Sequence, residues 1–150
     1  MEVFYYTEYY LADALRLAQH FAERHDGKLS EGIGVAKPFP SPTKTGEFPS
    51  QDVRFIRVES PDRMYCVAFV SEDEPPANER KYRNKSLYRV LVGEEVRKAR
   101  EGRGLSLEEV SEKSGFRPHS LQRIEEGRWD YDIAQFGVIL DALGAKVKIV

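Results

Sequence analysis

One cysteine in 150 residues excludes an internal disulfide, and with it the stapled scaffolds of small secreted domains. Cys66 lies in the apolar run 64–70, where a buried, inert thiol is expected rather than a nucleophile. No apolar run approaches the roughly 18 residues that a membrane helix needs. The chain opens on Met1-Glu2, without a basic start or an apolar segment behind it, so no secretory leader is expected. Together these absences point to a reducing, cytoplasmic setting. Catalytic signatures are missing as well. There is no phosphate-cradling glycine loop and no nucleophile elbow. His20 and His25 stand five apart, on different helix faces and outside the geometry of a metal-binding pair. His119 has no carboxylate or thiol partner that sequence assigns. No enzyme, metal site or cofactor is expected, and no repeat of about 20–50 residues is present.

What is present describes a globular chain of one or two domains. Hydrophobic residues make up 41% and charged residues 32%. The net charge of −2 conceals a division: residues 1–78 hold 8 Lys/Arg against 13 Asp/Glu, and residues 79–150 hold 15 against 12. Such segregation suggests a basic C-terminal module for a polyanion and a separate task for the acidic part.

In the acidic part, Thr7 is the expected N-cap of a helix. Leu11, Ala14, Leu15, Ala18, Phe21 and Ala22 then recur at helical spacing, and Gly27 ends it. Prolines at 38, 40, 42 and 49 predict a loop. Residues 52–59 and 63–71 are rich in Val, Ile, Phe and Tyr, with Ser60-Pro61-Asp62 as the hairpin turn. Residues 1–78 therefore read as one helix against an antiparallel sheet. The tyrosines at 5, 6, 9 and 10 read as packing or dimer contacts in preference to a ligand pocket. An acidic Pro-Pro stretch at 72–76 marks a boundary. It leads into a basic linker, 79–90, carrying Arg80, Lys81, Arg83, Lys85 and Arg89, either a solvated run or a minor-groove arm.

The remainder predicts helices. The first runs from about Gly93 to Glu101 with Val92, Val96 and Ala99 inward, ended by Gly102 and Gly104. Ser106-Leu107-Glu108-Glu109 is a capping box for the second, whose Leu107 and Val110 face inward. Gly115 supplies a left-handed turn, and Pro118 fits the first turn of a third helix. Leu121 and Ile124 anchor that helix, leaving Arg117, His119, Gln122 and Arg123 outward, before Gly127. Asp132 and Gln135 form a second capping box, with Phe136, Ile139, Leu140 and Leu143 on one face and Gly144 at the end. Residues 145–150 alternate Lys146 and Lys148 with Val147 and Ile149, as a short amphipathic strand does.

With those motifs in place, residues 92–150 resemble the Cro/CI-type (XRE) helix-turn-helix domain. The resemblance implies an all-α, lambda-repressor-like domain over 91–150, whose second motif helix enters the major groove of double-stranded DNA. Arg117, His119, Gln122 and Arg123 would be the base-facing set, since Arg and Gln make paired hydrogen bonds to purine edges. Arg80, Lys81, Arg83, Lys85 and Arg128 would reach phosphates or the minor groove, and Arg100 with Glu125 would form a structural pair. The chain departs from the family at several positions. Arg117 stands where a capping Ser, Thr or Asn is usual, and Leu107 where a phosphate-binding Gln is common. Glu108 and Glu112 lie near the path of the backbone, and Tyr131 and Asp132 replace basic residues. The ending is similar to antitoxin-related members in which a terminal strand follows the last helix. The fold class expected is thus α+β: a helix-plus-antiparallel-sheet unit, then a helical domain with a short C-terminal strand. The function implied is a cytoplasmic transcriptional regulator acting as a homodimer on a two-fold operator. The alternative is an antitoxin-like protein whose first unit neutralises a partner protein. In either case the first unit would dimerise, sense a small-molecule effector or dock a partner.

Overall fold

The computed structural model describes residues 1–36 and 51–150, and its contacts divide the chain into Met1–Lys85 and Ser86–Val150. The proline loop expected between 38 and 49 lies outside the described residues.

The first unit opens with a strand, β1 (Glu2–Thr7), followed by α1 (Leu11–His25), β2 (Lys28–Ala36), β3 (Gln51–Glu59) and β4 (Arg63–Phe69), with a 3-10 turn at Ala77–Tyr82. The sheet order is β1-β4-β3-β2. β2 with β3 and β3 with β4 are antiparallel, but β1 runs parallel to β4, with Tyr6 opposite Val67. The sheet is therefore mixed, not antiparallel. The helical connection through α1 carries the chain from β1 to the far edge, which leaves β1 free to pair with β4 in the parallel sense.

Thr7 is the last residue of β1 and no cap. Tyr10 precedes α1 without a side-chain cap bond. The Leu11 amide instead donates to the Ser71 carbonyl, 2.8 Å away, so a backbone contact from beyond β4 does the capping. Ala14, Leu17, Ala18 and Phe21 form the buried stripe of α1, while Leu15 is exposed. Phe21 stacks on Tyr65 with ring centres 4.0 Å apart and touches Tyr6 at 5.0 Å, which fixes the helix on the face holding Tyr6, Ile56, Val58 and Val67. Of the early tyrosines, Tyr6 and Tyr10 are buried and Tyr5 and Tyr9 exposed. Cys66 is buried, and burial pushes its thiol up.

The second unit holds α2 (Lys85–Gly102, opening at the boundary), α3 (Leu107–Ser114), α4 (Pro118–Glu125) and α5 (Ile133–Leu143). Val96, Val110, Leu121, Ile124, Ile139, Ala142 and Leu143 make one core, so every helix contributes. Two expectations are corrected. α2 begins at Lys85, not near Gly93, and its buried positions are Ser86, Leu87, Val90, Gly93 and Val96, with Val92 turned outward. Most of the stretch read as a basic linker is therefore helical. The expected strand at 145–150 is absent. Its alternation is real, but the described part of this unit holds no strand to pair with, and Val147, Ile149 and Val150 stay exposed.

Candidate nucleic-acid interface

α3 is opened by its capping box: the Glu109 amide donates to Ser106 Oγ at 3.1 Å, and the Ser106 amide donates to Glu109 Oε1 at 3.3 Å. Gly115 closes α3 at φ 80°, a left-handed conformation that side chains resist, and its amide donates to the Ser111 carbonyl. The chain reverses there and α4 begins. Arg117 is the N-cap residue of α4 and makes no side-chain cap bond; Pro118 follows in the first turn.

An eight-residue helix is too short to persist alone, so tertiary contacts must hold α4. Three do. Leu121 and Ile124 are buried in the core. Gly93 of α2 passes so close that a Cβ there would meet the Ile124 and Glu125 carbonyl oxygens at 2.4 and 2.6 Å. The Arg100 guanidinium grips Glu125 in two parallel hydrogen bonds, Nε to Oε2 at 2.7 Å and Nη2 to Oε1 at 2.9 Å. Its third arm, Nη1, donates to the Leu105 carbonyl at 2.9 Å. Arg100 is 13% exposed and Glu125 6%, so the pair is withdrawn from water. The hydrogen bond to Glu125 raises the Arg100 pKa further above its ordinary value.

The four residues expected to face bases do not share one environment. Arg117, His119 and Gln122 are exposed on α4. Arg123 is half-buried, its guanidinium carbon 5.4 Å from the centre of the Trp129 ring, and its Nε is buried without a hydrogen-bond partner. Sequence reasoning missed Trp129; its signal was that it is the single tryptophan, two residues beyond Gly127.

The cations expected at phosphates are also unequal. Arg83 is committed elsewhere: Nη2 and Nε donate to the Asp13 carboxylate at 2.6 and 3.2 Å. Asp13 is 2% exposed, so Arg83 compensates a buried charge inside the first unit. Arg80, Lys81 and Lys85 are exposed, and the two lysine ammoniums lie 5.0 and 5.4 Å from the Tyr82 ring centre. Arg89 pairs with Asp130 at 3.2 Å and Arg128 with Glu126 at 3.0 Å. The four basic residues between 80 and 85 belong to the first unit. Residues 86–150 then carry 11 Lys/Arg and 11 Asp/Glu, so the helical unit is neutral.

A family model described as a helix-turn-helix domain matches residues 91–148. Residues 91–148 are a helix-turn-helix domain. Within it α3, the Gly115 turn and α4 are the motif, and the domain supports DNA binding by the chain. No family model matches the part before it. No curated protein and no solved structure matches the chain. Among the described residues no helix is long and apolar enough to cross a membrane.

Proposed function

We propose that the chain is a sequence-specific transcriptional regulator of the Cro/CI (XRE) type that reads a two-fold operator as a homodimer. The observation that carries this reading is α4. It is the second helix of a helix-turn-helix motif, fixed on its inner side and presenting Arg117, His119 and Gln122 to solvent. A rigid helix with exposed bidentate donors suits base-edge recognition. One such helix reads few base pairs, so pairing two copies on a symmetric site supplies the specificity. Exposed Ile133 and Val138 on α5 support self-association. In the first unit, a cavity of about 260 Å³ lined by Tyr9, Tyr10, Asp13, Glu79 and Tyr82, among others, supports the reading that this unit senses a small-molecule effector.

Selection of bound sequences from a random DNA pool, using the full chain, tests the reading. Enrichment of a palindromic motif that loses one position per half-site in Gln122→Ala supports it. No enrichment at low salt overturns it. The antitoxin-like reading rests on a different observation: Val3 and Tyr5 are exposed on one face of the edge strand β1, apolar surface suited to a protein partner.

A further inference from the structure

We infer that Trp129 is a positioning residue for base readout: its indole holds the Arg123 guanidinium so that only the terminal nitrogens meet the DNA. The inference rests on the DNA-reading function proposed above. Four observations carry it. The guanidinium carbon sits 5.4 Å from the Trp129 ring centre, within the range of a cation–π contact. Trp129 is itself half-buried and packed against the core of the unit, so the platform is fixed. Arg123 Nε is buried without a hydrogen-bond partner, which removes the side edge of the guanidinium from use and leaves the end-on pair Nη1 and Nη2. Finally, among the described residues no carboxylate pairs with Arg123, whereas Arg89, Arg97, Arg100 and Arg128 each have one.

An arginine on a flexible stem must be ordered when it binds; one already lying on an indole loses less freedom and arrives in one plane. Guanine offers two acceptors, O6 and N7, side by side in the major groove, which matches end-on presentation. Arg117 has no such support: it is exposed and caps nothing. The two arginines of the face therefore differ in kind. Arg123 is the selective one.

The test uses the full-length protein and its single tryptophan. Trp129→Leu and Arg123→Ala should lose preference at the same base position, by at least about fivefold. Trp129→Leu should keep binding to non-cognate DNA with the same salt dependence. Trp129→Phe, which keeps a π face, should retain most of the preference. Without DNA, Arg123→Ala should shift the emission of Trp129, reporting loss of the stack. Preference that survives in Trp129→Leu overturns the inference and leaves the DNA reading standing. Equal losses in Trp129→Phe and Trp129→Leu also overturn it, because packing and not the π face would then be responsible. A wild-type protein with no base preference overturns the DNA reading, and the inference with it.

Discussion

Removing the arginine of the Arg100–Glu125 pair strands a carboxylate that is 6% exposed. Arg100→Ala should therefore cost about 3–5 kcal/mol, as breaking a buried pair does. Arg128→Ala removes a partly exposed partner of Glu126 and should cost about 0–1 kcal/mol. Chemical denaturation of the two variants checks the contrast; equal midpoints would refute it. Tyr10 offers a pH signature in the other unit. Its hydroxyl donates to Glu79, and that bond, with burial and the adjacent carboxylate charge, pushes the phenol up to about 12 from an ordinary 10.0. The folded state thus favours the protonated phenol. Its contribution to stability is complete below pH 10 and is lost as pH rises from 10 to 12. Absorbance titration should show one tyrosine ionising near pH 12, missing in Tyr10→Phe. Both contacts of the 3-10 segment escaped sequence reasoning for the same reason: Asp13 and Arg83 lie 70 residues apart, and no local pattern encodes such a pairing. Arg123 escaped because an outward helical position says nothing of a neighbouring ring.

Helices with a capping box were legible at both ends. α3 and α5 start where Ser106 and Asp132 place them. Ser106→Ala should cost about 0.5–2 kcal/mol, read from thermal unfolding. α4 is the complement, a helix without a side-chain cap. Arg117→Asn should supply one, stabilising the fold by up to about 1 kcal/mol while removing a cation from the exposed face proposed to read DNA. Melting temperature should rise as DNA affinity falls; a fall in both would show that the Arg117 side chain supports the helix. The elements that stayed hidden lack such punctuation. β2 includes Gly32 and Gly34 and little β-branched content, so its propensity is weak, yet pairing with β3 makes it a strand. Residues 145–150 carry the alternation of a strand and are not one. A strand is a relation between two segments, and the sequence of one shows only half of it.

For the whole chain, the division at Lys85 carries the largest consequence. A fragment ending at 78 discards Glu79 and Arg83 and strands Asp13, whereas one ending at 85 retains them. The 1–85 fragment should melt cooperatively and at a higher temperature than 1–78; the reverse order would refute this. The same boundary moves the basic cluster out of the helical domain. If Arg80, Lys81 and Lys85 meet phosphates, the full chain should show a steeper dependence of affinity on salt than the neutral fragment 86–150. Equal slopes would remove the cluster from the interface. The position of the motif was legible from 104 onward because glycines and caps delimit it. The charge argument was less so, because the boundary drawn from composition fell seven residues before the end of the first unit and cut off its basic residues.

The crossing of α2 over the end of α4 has a consequence in heredity. At Gly93 a single Cβ would meet two carbonyl oxygens, and at Gly127 it would meet Val90 at 2.6 Å with the backbone at φ 73°. Every single-base change in a glycine codon that alters the amino acid adds a Cβ, so neither position has a viable neighbour. A mutational library should return only glycine at both, and tolerate many residues at His119 and Gln122, which nothing inside the fold requires. Descent can then rewrite the exposed face of α4 base by base while the joint beneath it stays fixed. If α4 reads DNA as proposed, lineages carrying this joint would diverge in the DNA they bind long before they diverge in how they hold the helix.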